Sequence, residues 1–215
     1  MKHAALAALI AATFGLVVCS SPARATAFGQ LSSAEILPGN THQFGGYLDV
    51  SDHAFGLLGQ MRMSFYPGVD FGFQGGLTRF DYGTSRRTAA RLGLDGRFAI
   101  MHPDSAQKLD VTLGGAIGVT AGDRYSVLTL GPEAVASRHF KLAGSAAVSP
   151  YVGAMLSFSS LTASGVNSTD FAIPIRVGAE LTAAQGLKFL GELNFRVGDE
   201  INDHFGFIVG VNLPF

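Results

Sequence analysis

The sequence predicts an all-β chain: a closed, antiparallel, up-and-down transmembrane β-barrel of about ten strands, with eight as the alternative count. Three observations predict it. Strand-length segments alternate apolar and polar residues with period two, the spacing at which strand side chains point to opposite faces. The chain opens on an export pattern. It closes on F-G-F-I-V-G-V-N-L-P-F, where Phe205, Phe207, Val209, Val211, Leu213 and Phe215 form an apolar row opposite a smaller, partly polar one.

The export pattern has three parts. Met1-Lys2-His3 is a short basic start, Ala4 to Val18 an apolar run, and Ala23-Arg24-Ala25 or Ala25-Thr26-Ala27 a small-residue cleavage site. The apolar run is shorter than the roughly 20 residues that a membrane helix needs. Cleavage after Ala25 is preferred, so residues 1–25 read as a signal peptide. Cys19 is the single cysteine, and Leu16-Val17-Val18-Cys19-Ser20 resembles a lipoprotein processing site, although Val18 stands where a small residue is wanted. A chain that loses Cys19 with its signal peptide has no disulfide or thiol chemistry. Residues 26–42, with Pro38-Gly39-Asn40, read as a short lead-in, and residues 43–215 as the barrel.

Ten alternating segments follow. They run at about Gln43–Val50, Phe55–Tyr66, Val69–Phe80, Ala89–Met101 and Leu109–Thr120, then Tyr125–His139, Ala147–Ser160, Phe171–Leu181, Leu187–Val197 and the terminal strand. The second shows the pattern well, with Phe55, Leu57, Gly59, Met61, Met63 and Phe65 on one face and Gln60, Arg62 and Ser64 on the other. The sixth is the least regular, because Pro132 obscures its register. Pro67-Gly68, His102-Pro103-Asp104-Ser105 and Ala184-Gln185-Gly186 are turn signals. Polar stretches at 81–88, 161–170 and 198–204 read as the longer loops of the opposite end. An even strand number places both chain ends at one end of the barrel.

Alternation alone fits a soluble barrel as well as one in lipid. The export pattern and the aromatic-terminated strand favour lipid, as does a polar face dominated by Gly, Ser, Thr and balanced charges. That register sends the apolar rows outward. Asp49, Arg62, Asp70, Arg91, Asp95, Arg97, Asp110, Arg176, Glu180, Lys188, Glu192 and Arg196 then face the lumen. Acids and bases nearly balance, and isolated buried charges are costly, so the set is expected to pair and close the lumen.

Chemistry-bearing candidates are sparse. Asp52 and His53 in the first far-end loop, with Asp199, Glu200, Asp203 and His204 in the last, supply mixed oxygen and nitrogen donors for a divalent cation. Solvated loops are the plainer reading. Ser51 or Ser64 with a histidine would be the minimum for a hydrolase, but neither sits in a nucleophile motif. Gly114-Gly115-Ala116-Ile117-Gly118 lies within a strand and is no phosphate loop, so no cofactor is expected. Net charge is −1 with no basic stripe, which argues against nucleic acid as a partner.

The alternating strands, export pattern and terminal Phe215 resemble the small bacterial outer-membrane β-barrel proteins, the OmpA/OmpX/OmpW-like group, over about residues 43–215. The resemblance implies residence in the outer membrane among lipids and lipopolysaccharide. It also implies that Phe207, Val209, Val211, Leu213 and Phe215 are read by the barrel-assembly machinery, with Pro214 an unusual neighbour for that signal. The leading expectation is a structural or surface-interaction barrel with a closed lumen. A narrow pore for small solutes, an outer-membrane lipid or peptide hydrolase, and a soluble lipocalin-like barrel are the alternatives.

Overall fold

The computed structural model describes residues 29, 31–51, 54–82, 85–101, 109–123, 125–142, 144–163, 166–183, 186–198 and 205–215. The signal peptide at 1–25, Cys19, and the cation candidates Asp52, His53, Asp199, Glu200, Asp203 and His204 lie outside the described residues.

The described chain is all β. Its strands are β1 (Thr41–Ser51), β2 (Ala54–Tyr66), β3 (Val69–Tyr82), β4 (Ser85–Met101), β5 (Asp110–Gly122), β6 (Tyr125–Ser137), β7 (Phe140–Lys141), β8 (Ala147–Met155), β9 (Ser157–Ala163), β10 (Val166–Thr182), β11 (Lys188–Gly198) and β12 (Phe205–Pro214). Neighbours pair antiparallel around the sheet, and β12 returns to β1 from Gln43 opposite Pro214 to Ser51 opposite Gly206. Closure leaves no sheet edge to satisfy, the condition for backbone in lipid.

β8 and β9 lie end to end between β6 and β10, so they form a single stave. Together with the two-residue side strand β7, this gives a closed barrel of ten staves. The expected count of ten holds.

Two prolines, Pro132 on β6 and Pro174 on β10, flank the split stave. Leu156 donates its N–H to the Pro132 carbonyl at 3.0 Å, but Pro132 has no N–H to return the bond. The ladder loses a rung there, and the strand breaks at Leu156.

Exposure is inverted relative to a soluble protein. Leu57 is 61% and Leu94 55% exposed, whereas Arg62 is 1% and Asp70 0% exposed. Leu, Ile, Val and Phe therefore cover the outside, and charge fills the inside. This is the arrangement of a barrel in lipid, and it rules out the lipocalin-like alternative, whose apolar face turns inward.

Two expected loops are corrected. β3 and β4 continue to Tyr82 opposite Ser85, and β9 and β10 continue to Ala163 opposite Val166, so 81–88 and 161–170 are mostly strand. Beyond the lipid band both faces meet water, which erases the apolar alternation while the backbone ladder persists.

Gly29 and residues 31–37 precede β1 and lie inside the barrel. Gly29, Leu31, Ser32, Ser33 and Ala34 are buried, and Asn40 anchors the segment at the end where β1 starts by donating to the Ser64 carbonyl at 2.8 Å.

Candidate functional site in the lumen

The first half of the lumen wall, β1 to β4, holds a balanced charge cluster. Asp70 stands directly opposite Arg97 across β3 and β4. Arg97 grips it with Nε at 2.6 Å and Nη2 at 2.8 Å, and Arg62 Nη1 adds a third contact at 2.5 Å. Arg62 Nη2 also donates to Asp95. Gly72 sits between these two residues in the register, opposite each of them. A Cβ there would strike the Asp95 carboxylate and come within 2.7 Å of Arg62 Nη2, so the pairing across it needs glycine. Farther from the chain termini, Arg91 donates to Asp49 at 2.7 Å and to Thr78 at 3.4 Å.

The second half, β6 to β11, is richer in acid. Arg176 meets Glu133 at 3.1 Å, and the Tyr151 hydroxyl donates to Glu192 at 2.7 Å. Lys188 bridges Glu180 at 3.0 Å and Glu35 at 2.9 Å. Arg196 and Asp170 pair at 2.5 Å in a more open position across β10 and β11. An unpaired buried charge costs several kcal/mol, roughly, so a lumen wall of this kind is stable only with its partners in place.

The luminal segment completes both halves. Gln60 Nε2, at 3.4 Å, and Gln74 Nε2 donate to the Gly29 carbonyl. The Tyr47 hydroxyl lies 3.2 Å from the Leu31 carbonyl and against Asn212 Oδ1. Arg97 Nη1 donates to the Ser33 carbonyl at 2.7 Å, and Nη2 to the Glu35 carbonyl at 2.9 Å. Ala34 N donates to Ser137 Oγ at 3.2 Å, Leu37 N to Asp70 Oδ2 at 3.2 Å, and Ser33 Oγ to Glu180 at 3.2 Å. Leu31 joins an apolar cluster with Tyr47, Leu58, Leu190 and Ile208. Burial pushes the Glu35 carboxyl pKa up, but Lys188, with His139 and Arg97, outweighs it and holds the group below its ordinary 4.5.

The structure thus places Asp49, Arg62, Asp70, Arg91, Asp95, Arg97, Arg176, Glu180, Lys188, Glu192 and Arg196 on the wall with the partners given above, and Asp110 buried at the start of β5. Phe207 and Leu213 face outward on β12, with Val209 and Val211 in the same row and Phe215 beside His42 at 5.7 Å between rings. Among the described residues no His, Cys, Asp and Glu cluster has metal-holding geometry.

Sequence reasoning put Gln60, Gln74 and Tyr151 on the polar face but outside the charge network, and it missed Glu133 and Tyr47 as wall residues. Glu133 was legible: carrying the alternation of Thr129 and Gly131 straight through Pro132 puts it on the inward row. It also missed the segment from Gly29 to Leu37, which reads as a plain lead-in because it has no strand periodicity.

No known protein-family model matches the chain, and no curated protein matches it. Solved structures do. The β-domain of the Bordetella autotransporter BrkA superposes with a TM-score of 0.51 at 14% identity, covering 83% of this chain and 100% of that one. An outer-membrane channel from Pseudomonas putida F1 gives a TM-score of 0.45 at 12% identity, over 85% and 98% of the two chains. The N-terminal barrel domain of Pseudomonas aeruginosa OprF gives 0.37 at 10% identity, over 82% and 98%. The fold is that of the bacterial outer-membrane β-barrels.

Proposed function

We propose that this chain is an integral outer-membrane barrel with a closed lumen, serving as a structural and surface-interaction element. Its outer partners are then membrane lipids and lipopolysaccharide, and the row from Phe207 to Phe215 is the stretch offered to the barrel-assembly machinery. One observation carries the closed-lumen reading: Gly29 and residues 31–37 occupy the interior and are hydrogen-bonded to charged, amide and hydroxyl side chains from β1, β2, β3, β4, β6 and β10. A conduit needs a continuous water path, and here the Gln60, Gln74, Asp70 and Arg97 side chains that would line it are engaged with the luminal segment.

The hydrolase reading has less support. Ser149 Oγ lies 3.2 Å from His139 Nδ1, but Ser149 is 2% exposed, which suits a structural hydrogen bond better than a nucleophile awaiting substrate. The test is single-channel recording of the detergent-purified full chain in planar bilayers. Absence of steady openings is expected, whereas a stable unitary conductance would establish the narrow-pore alternative.

A further inference from the structure

The contacts of the luminal segment are mostly made to its main chain. The carbonyls of Gly29, Leu31, Ser33 and Glu35, every second residue, face donors on Gln60, Gln74, Tyr47 and Arg97. The amides of Ala34 and Leu37 face acceptors on Ser137 and Asp70. Period two is the repeat of an extended chain. Wall side chains therefore read an extended backbone here, as an exposed strand edge does in peptide recognition by strand addition.

Side chains add selectivity at two places. Leu31 is 1% exposed and packs in an apolar cluster that includes Tyr47, Leu58, Leu190 and Ile208 and extends to Ala34, Val135 and Tyr151, a greasy seat within a wall that carries most of its charge elsewhere. Four residues later the Glu35 carboxylate meets Lys188 at 2.9 Å. Ser32, Ser33 and Ala34 between them are small.

The segment from Leu31 to Pro38 belongs to no strand, and its backbone pairs with none of the barrel's ladders until Asn40 bonds to Ser64. Withdrawing it breaks side-chain contacts without opening a rung of the sheet.

We infer that the lumen is a binding site for an extended peptide, one with a branched apolar residue, small residues after it, and an acid four positions on; the segment seen from Leu31 to Leu37 is its resident ligand. The inference rests on the closed-lumen reading, and it adds that the occupant is exchangeable. A peptide of this class enters from the end where Thr41 and Pro214 lie and takes the same track once the tethered segment has left.

The experiment uses the chain without residues 26–37 in planar bilayers, challenged with a synthetic peptide of residues 26–40. The truncated barrel is expected to conduct, and the peptide to block it from one side only. The Leu31→Ala peptide should block about tenfold more weakly, from loss of one buried leucine. N-methylation at Ala34 and Leu37, which removes two main-chain donors and alters no side chain, should abolish the block. A truncated barrel that stays silent, or conducts without being blocked, overturns the site, as does equal block by a scrambled peptide.

Where truncation prevents assembly, the full chain carrying Leu31→Ala and Glu35→Gln takes its place. Intermittent openings suppressed by the native peptide are expected, and openings indifferent to it overturn the proposal. The unaltered full chain separates the two readings. Steady conductance there removes the closed lumen itself, whereas a silent full chain with an unblockable truncated one removes only the peptide site.

Discussion

Arg97 and Asp70 face one another across β3 and β4 in a two-pronged grip, Nε to Oδ1 at 2.6 Å and Nη2 to Oδ2 at 2.8 Å. The fork fixes the guanidinium plane, and the remaining nitrogen Nη1 is thereby aimed at the Ser33 carbonyl at 2.7 Å. One arginine both seals a pair of staves and holds the luminal segment.

Arg97→Met should therefore destabilise the barrel. Removing one partner of a buried pair costs about 3–5 kcal/mol, and the lower end is expected because Arg62 still reaches Asp70 at 2.5 Å. Arg97→Lys keeps the charge but not the fork, and should fall between. Urea titrations followed by heat-shifted gel mobility measure this; unchanged midpoints would refute the role.

Gly29 has φ +102°, and a Cβ on it would lie 2.5 Å from Glu133 Oε2. Gly29→Val should lift the end of the segment out of its seat while the barrel itself still folds. Limited proteolysis then cuts near residue 31 in the variant and spares the wild type. Equal protection of both chains would show that the seat tolerates a side chain.

Acid should loosen the segment. The Glu35 pKa is held below 4.5 in the folded chain, so the unfolded chain takes up its proton first as pH falls. The stabilisation is complete above about 4.5 and is lost as pH drops below that through the folded value. Proteolytic accessibility of residues 29–37 should rise in this window and should lose that pH dependence in Glu35→Gln. Identical profiles for the two chains would exclude Glu35 as the titrating group.

The lipid face gives an independent check. Ile117 lies mid-strand on β5 and is 45% exposed, with its side chain outward. Ile117→Arg should cost about 2–4 kcal/mol in bilayers, against far less for the same change at the rim position Phe65. Similar costs at both positions would contradict a membrane band centred on β5.

Pro132→Ala restores an N–H that can answer Leu156 across the split stave. Slower hydrogen exchange at Leu156 and Ser157 is expected, with stability equal or higher. Unchanged exchange would mean that the break has another cause.

The barrel was legible because lipid and lumen impose opposite chemistry on alternate residues, as Leu92, Leu94 and Phe98 against Arg91, Asp95 and Arg97 illustrate. The pattern failed where that opposition ends. Past Phe80 that opposition fades: Asp81, Arg87 and Thr88 are all exposed and none is apolar, so strand reads as loop. At Pro132 a missing donor, rather than a change of environment, disturbed the register and hid Glu133. The luminal segment was invisible for a third reason: its partners, such as Glu180 and Lys188, lie about 150 residues away in sequence, and no local signal marks a stretch buried by a wall not yet built.

That separation sets an order of events. The segment from Gly29 to Leu37 leaves the ribosome before any strand, yet its seat combines Tyr47 and Gln60 near the start with Glu180, Lys188 and Leu190 near the finish. Contacts so distant along the chain form slowly. Residues made ahead of every strand are thus the last to settle, and their docking reports that the cylinder around them is complete.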